Sequence, residues 1–185
     1  MLAGPHGGTA MFRTFIALAA LSLAGCALNS EVRISDEPDA ALIFGFFDMK
    51  ESPYELGCVR ITQDEKKGIA YPQSCMTTFA DGLFFIENVP PLKYHVPFFY
   101  AGGKLHMISS SESDLFSVKP KSMYFLGSFK YKVINRDLGD ILKLTPEQYG
   151  LQPVKSPSEK AVLKMLQDRV KDPRWKARIK AKLGQ

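Results

Sequence analysis

The sequence predicts a mainly β protein: a seven-stranded-type antiparallel β-sandwich over residues 41–135, followed by a short C-terminal helical segment. Two observations predict the sandwich. Short apolar runs alternate with turn residues between positions 41 and 135, and they give six or seven strands. No helical apolar period interrupts these runs, whereas such a period begins after Asp137.

The first predicted strands differ in the number of faces they bury. "ALIFGFFDM" at 41–49 is apolar on both faces, which is typical of a central strand. "YELGCVRIT" at 54–62 alternates between two faces. "LFFIENV" at 83–89 follows Asp81-Gly82, a pair that favours a hairpin turn.

Two strands are predicted after position 92. "KYHVPFFY" at 93–100 contains Pro97, which predicts either an edge position or a bulge. "KLHMI" at 104–108 follows a Gly102-Gly103 turn. Alternation in the first of these strands predicts one shared face for Tyr94, Val96, Phe98 and Tyr100.

The longest predicted strand is "SMYFLGSFKYKVI" at 122–134. Strict alternation divides its residues between the core and the solvent. The inward set is Met123, Phe125, Gly127, Phe129, Tyr131 and Val133, and the outward set is Ser128, Lys130 and Lys132.

The segment "ADGLFFIENVPPLKYHVPFFYAGG" resembles the signature of carboxypeptidase-regulatory-like, transthyretin-like sandwich domains. Leu92 stands where that family usually has glycine, so the turn there is expected to differ. The resemblance covers roughly residues 41–135 and implies a sandwich with a non-catalytic accessory role. The matching residues are Asp81, Gly82, Phe84, Asn88, Pro90, Pro91 and Tyr94.

Residues 136–185 are predicted to form a helical extension with three segments. In "TPEQYG", Thr145 is a candidate cap, followed by Pro146 and Gln148. In "SPSEKAVLKMLQDRVK", Ser156 is the candidate cap and Glu159 closes a capping box. The apolar face of this second segment is predicted to be Val162, Met165, Leu166 and Val170.

The third segment restarts at Asp172-Pro173 and has apolar residues at every fourth position: Trp175, Ile179 and Leu183. Basic residues lie between them, so the segment also predicts an interaction surface for anionic lipid, an acidic partner or cell-wall polymer. The alternative is a helix that packs Trp175 on the sandwich and leaves its lysines in water. The candidate surface consists of Arg174, Trp175, Lys176, Arg178, Lys180 and Lys182.

The N-terminal run "FIALAALSLAGC" is too short to span a bilayer as a helix. It suits the hydrophobic region of a secretory signal that follows Arg13. Its end, from Leu23 to Cys26, resembles the lipobox of bacterial lipoproteins. The alternative is a buried N-terminal helix, which would normally show polar positions at a 3.6-residue period.

The lipobox resemblance implies a lipid-anchored protein. In that family the signal helix is cleaved and the thiol of the lipobox cysteine receives a diacylglyceryl group. The resemblance therefore implies that residues 1–25 are the cleaved signal helix and that Cys26 carries the lipid. Residues 26–40 are then expected to be a lipidated tether. Ala27 replaces the aspartate that favours inner-membrane retention in the family, so the resemblance implies the outer membrane. Met11 begins a complete signal, and residues 1–10 are therefore expected to be a misassigned start.

The remaining cysteines, Cys58 and Cys75, form a possible pair in an oxidising compartment. A disulfide between them would contribute roughly 3 kcal/mol in the chain-entropy model. Two buried free thiols are the alternative.

The sequence carries no recognisable catalytic arrangement. His95 and His106 lie on neighbouring predicted strands without a third ligand at a suitable spacing, so we expect no metal site. "SSSESD" at 109–114 lacks the nucleophile elbow of hydrolases, and no glycine motif suits phosphate. We therefore expect no enzymatic activity, no cofactor, no nucleic-acid partner and no small-molecule substrate.

The sequence thus predicts a periplasm-facing envelope lipoprotein that acts as a non-catalytic binding or scaffolding module. Its partners are expected to be the membrane, through the N-terminal lipid, and an envelope protein. The alternative is a structural surface lipoprotein that contacts the membrane or cell-wall polymer through its basic C-terminal helix. A formal net charge of +5 and 45% hydrophobic residues are ordinary for a globular domain.

Overall fold

A computed structural model describes residues 31–32, 34–65, 71–108, 115–135 and 148–184. Cys26 and the predicted signal lie outside the described residues, as do positions 109–114, Thr145 and Pro146. The described chain is mainly β, with one curled sheet and two C-terminal helices. This confirms the predicted fold class at the level of a mainly β protein with a C-terminal helical segment.

Nine strands and two helices follow one another along the described chain. The strands are β1 Ala41–Asp48, β2 Leu56–Gln63, β3 Gln73–Thr78, β4 Leu83–Val89, β5 Lys93–Ala101, β6 Lys104–Met107, β7 Phe116–Ser117, β8 Met123–Asn135 and β9 Gln148–Val154. The helices are α1 Glu159–Gln167 and α2 Pro173–Leu183. The order in the sheet is β6-β5-β2-β3-β4-β1-β8-β9, and β7 pairs with β5.

The sheet curls because β3 belongs to both of its halves. Its first part pairs with β2, and its end pairs with β4 through Thr77 and Thr78. We call β2, β5, β6 and β7 the β5 half, and β1, β4, β8 and β9 the β1 half. Their inner faces meet in an aromatic core, in which the ring of Phe99 lies 5.4 Å from Phe47 and 5.8 Å from Tyr131.

Strand β1 is buried on both faces, as its uniformly apolar sequence predicted. Ile43 and Phe47 face the inner core, whereas Leu42 and Phe44 face the helices. One pairing departs from the predicted antiparallel arrangement, because β1 and β8 run parallel. The chain crosses from β7, which pairs in the β5 half, to β8 in the β1 half, where β8 runs in the same direction as β1.

Pro97 lies at a bulge and not at an edge, since β5 pairs with β2 on one side and with β6 and β7 on the other. Two residue steps on β2, from Arg60 to Thr62, face three on β5. The extra residue reverses the alternation, so the predicted single face is wrong beyond this point. The buried residues of β5 are Tyr94, Phe99 and Ala101, whereas Phe98 and Tyr100 are half-buried on the outer face.

A second bulge lies at Gly127, where φ is +120°, a value that L side chains rarely adopt. The bulge reverses the alternation of β8. The predicted inward set and the predicted outward set are therefore wrong, because each set contains residues from both faces of the strand. Phe125 packs on the helices, whereas Phe129 joins the inner core. Ser128, predicted to be outward, is buried, and its hydroxyl donates to the carbonyl of Pro157 at 2.5 Å.

The sheet continues into the predicted helical extension. Gln148, predicted to close a helical cap, instead begins β9, which pairs with β8 over seven positions. Pairing with β8 supplies backbone hydrogen bonds that an isolated one-turn helix lacks. Pro153 is tolerated in β9 because this strand lies at the edge of the sheet.

The two helices cover the outer face of the β1 half. Helix α1 is capped by Ser158 and not by Ser156, since Oγ of Ser158 accepts from the backbone N–H of Ala161 at 3.4 Å. Helix α2 begins after Asp172, as predicted. The helix residues buried against the sheet are Val162, Leu163, Leu166, Trp175 and Ile179, and Val170 between the two helices is buried with them. Within the described ranges, neither helix has the length and apolar character that crossing a bilayer requires.

Candidate functional surfaces

Residues 31–32 and 34–37 form an N-terminal strap that lies against the sheet. The backbone N–H of Val32 donates to Oγ of Ser74 at 3.0 Å, and the Val32 side chain is buried. The N–H of Ser35 donates to the carbonyl of Asn88 at 2.6 Å. This part of the predicted tether is therefore in contact with the domain, and residues 26–30 and 33 of the tether lie outside the described residues.

Asn88 joins the strap, β4 and α2. Its φ of +62° turns the end of β4, and asparagine adopts this region more readily than most residues. Its Oδ1 accepts from Nε1 of Trp175 at 2.8 Å, and its Nδ2 donates to Asp172 at 3.1 Å. Asn88 is one of the residues that match the family signature, but nothing in the sequence pattern indicated these contacts.

Arg174 fixes the beginning of α2 to the same place. Its Nη2 donates to Oδ2 of Asp172 at 2.7 Å, and its Nη1 donates to the carbonyl of Asp36 in the strap at 3.2 Å. The hydrogen bond from Arg174 is the main reason that the pKa of Asp172 falls from 3.8 to about 2. The charge of Arg174 therefore stabilises the fold by holding α2 to the strap.

The candidate basic surface divides into buried, bonded and exposed residues. Trp175 is only 2% exposed, so it is not a surface residue and its alternative role in the core is confirmed. Arg178 donates to the carbonyl of Lys121 at 2.9 Å, and Lys182 pairs with Glu159 at 2.5 Å. The other exposed members of the set are Lys176 and Lys180, together with Arg174.

Cys58 and Cys75 are joined by a disulfide in the structure, across β2 and β3, with their Cα atoms 5.4 Å apart. Cys58 is buried and Cys75 is exposed. The bond ties together two strands of the sheet at the place where it begins to curl. The reading of two separate buried thiols does not fit this arrangement.

A groove of about 860 Å³ opens beside the disulfide. The strap, β2, β3 and β4 contribute its walls, and Ile34 and Tyr71 are its exposed apolar residues, at 55% and 46%. Its polar lining includes Glu31, Arg60 and Glu87. No local sequence motif indicates this groove, because its walls come from segments that are far apart in the sequence.

The outer face of β5 and β6 is a second apolar surface. Phe98 lies opposite Met107 and Tyr100 opposite Leu105, so these four side chains share one face. Leu105 is 47% exposed and Met107 is 62% exposed. We call these four residues the β6 surface. β6 ends the strand order, so in the described sheet its other backbone edge is hydrogen-bonded to no strand, although β9 from the opposite end of the order comes close to β6 as the sheet curls.

The two histidines do not lie opposite each other in the pairing of β5 with β6. His106 lies opposite Phe99, and its Nδ1 is 3.4 Å from the hydroxyl of Tyr131. His95 lies opposite Thr62, and burial lowers the pKa of its imidazole while Asp64 opposes the shift. In the described part of the chain, no group of three or more His, Cys, Asp or Glu residues has an arrangement suited to a metal ion.

Comparisons of the chain with protein-family models, with curated proteins and with solved structures find no match.

Proposed function

We propose that the chain is a bacterial envelope lipoprotein whose domain is a non-catalytic binding module, anchored through Cys26 at the outer membrane and facing the periplasm. The short apolar run and the small residues before Cys26 support the anchor. Two or more acyl chains give stable attachment, whereas one chain binds only marginally.

We also infer that the curled sheet is a β-sandwich. The two halves face each other across one aromatic core, as sandwich sheets do. The hydroxyl of Tyr94 donates to the carbonyl of Pro90 at 2.8 Å, and sandwich domains use such a tyrosine at a strand corner. This supports the resemblance to transthyretin-like domains in the segment around Asn88.

The β6 surface is the observation that carries the binding function. Leu105 and Met107 expose apolar side chains on an edge strand, where a soluble domain usually places charges or cover. An edge strand can accept an additional strand through main-chain hydrogen bonds, with side chains giving specificity. The proposed partner is therefore an envelope protein with an extended apolar segment.

Site-specific photo-crosslinking in cells tests this proposal. A photoreactive residue at position 107 should capture one defined protein, and the same residue at Lys176 on α2 is the matched control. Capture should disappear with Leu105→Ser and persist with Lys180→Gln. Capture at position 176 that Lys180→Gln abolishes, with none at position 107, would contradict the proposal and favour the basic helix.

The structural lipoprotein that binds through its basic helix is less well supported. Arg178 and Lys182 are engaged within the domain, and Arg174 holds the strap. Exposed pairs of this kind contribute little stability, but they orient the side chains along the domain surface.

A further inference from the structure

The groove beside the strap has an apolar rim that the proposed partner site does not use. Ile34 and Tyr71 lie on this rim, although isoleucine is usually buried. Tyrosine combines an apolar ring with a polar tip, and it is favoured where one end is apolar and the other wet. A membrane interface provides such surroundings.

The strap determines how far the groove can lie from the membrane. Val32 is fixed to β3 through Ser74, so the domain begins at this residue. Six Cα steps separate Cys26 from Val32, and a fully extended chain covers at most about 22 Å over this distance. If the lipid is attached to Cys26, as the proposed function requires, the groove is held close to the bilayer.

The β6 surface lies farther from this attachment point. Three strand spacings separate β3 from β6, which corresponds to roughly 14 Å across the sheet. Leu105 and Met107 are therefore the members of the β6 surface that lie farthest from the groove on the same outer face, whereas the Phe98 ring lies beside it, 5.8 Å from the guanidinium carbon of Arg60.

The charges around the groove do not indicate attraction to anionic lipid. Glu31 and Glu87 accompany Arg60 in its lining, so the balance is not basic. The Glu87 carboxylate is also engaged, because it accepts the backbone N–H groups of Lys171 and Asp172. Contact with a bilayer at this place would depend on apolar burial.

We propose that the rim formed by Ile34 and Tyr71 inserts into the interface of the bilayer to which Cys26 is anchored, and that Leu105 and Met107 on β6 stay clear of it. The occupant of this rim is the lipid surface itself. The domain then stands on the membrane in one orientation, with the groove end of this outer face at the lipid and its β6 end away from it.

Fluorescence quenching by brominated lipid tests the orientation. The full chain, purified from membranes and reconstituted in brominated phosphatidylcholine vesicles, is compared as wild type, Tyr71→Trp and Leu105→Trp. Trp175 is buried and contributes the same signal to all three, so it is subtracted. We expect a blue-shifted and strongly quenched indole at position 71, an unquenched indole at position 105, and no change at high salt.

The outcomes separate the two proposals. If mass spectrometry of the purified chain finds no lipid on Cys26, the proposed anchor fails and this inference fails with it. A lipidated chain without quenching at position 71, or with equal quenching at both positions, overturns the inference alone. Quenching that needs anionic vesicles and low salt also overturns it, since the basic helix would then be the contact.

Addition of Ile34→Ser to Tyr71→Trp should reduce the quenching without changing the melting temperature.

Discussion

The two halves of the sheet differ in what covers their outer faces. On the β1 half, α1 and α2 bury Leu42, Phe44 and Phe85. On the β5 half, no described helix covers the corresponding face, and Leu105 and Met107 are exposed there. The β5 half instead carries a covalent bond, the disulfide between its strand β2 and the bridging strand β3. Buried contacts with the helices therefore belong to the β1 half, whereas the proposed partner surface lies on the β5 half.

The largest loss of stability is expected from a substitution that weakens the packing of α2 on the β1 half. Trp175→Ala takes a fully buried indole from between α2 and the sheet and leaves Oδ1 of Asn88 without its 2.8 Å hydrogen bond. We expect a loss of about 3–5 kcal/mol in the free energy of unfolding, as for large-to-small core changes. Urea denaturation measures it. Trp175→Phe should lose clearly less, and an unchanged Trp175→Ala protein would refute the covering role of α2.

A smaller loss is expected in the β5 half when its disulfide is removed. The double variant Cys58→Ser, Cys75→Ser should unfold more easily by about 3 kcal/mol, because the unfolded chain regains the entropy of an open loop. The same loss should follow reduction of the wild type. Intact mass after alkylation provides the check, since two thiols that react in the unreduced, unfolded protein would contradict the bond.

Sequence patterns predicted the strands well but not the faces they present. The apolar run at β1 was sufficient to predict a central strand, because both of its faces are buried. In β5 and β8 the alternation of inward and outward side chains reverses at the bulges near Pro97 and Gly127. A prediction that assumes strict alternation along the whole strand cannot detect one inserted residue. Pro97 was a signal for a bulge, whereas Gly127 was read as an ordinary inward position.

The candidate sites were less predictable because they depend on long-range contacts. The groove combines the strap with three strands, and Asn88 reaches residues more than 80 positions away. In contrast, the four-residue spacing of Trp175 and Ile179 predicted burial correctly, since a helix repeats its face locally. Helix signals at Gln148 failed because pairing with β8 outweighed them.

A pH-dependent effect is expected where the cover of the β1 half meets the strap. The folded-state pKa of Asp172 is lowered to about 2 from its ordinary value of 3.8, chiefly by the hydrogen bond from Arg174. A lowered carboxyl pKa stabilises the fold above the unfolded value, and this contribution is lost as the pH falls from about 4 towards 2. Urea midpoints between pH 6 and pH 2 should therefore fall less steeply for Asp172→Asn than for wild type. Equal slopes for Asp172→Asn and wild type would contradict this stabilising role of the Asp172 carboxylate.

The smallest effect is expected on the open face, and it completes the comparison. Met107→Ala removes a side chain that is 62% exposed, and Leu105→Ala removes one that is 47% exposed. Exposed substitutions away from special contacts change the free energy of unfolding by no more than about 0.5 kcal/mol. Phe85→Ala, on the covered face of the β1 half, should cost about 3–5 kcal/mol under the same conditions. If Met107→Ala proves as costly as Phe85→Ala, the open face serves the fold of the isolated chain and is not free to bind a partner.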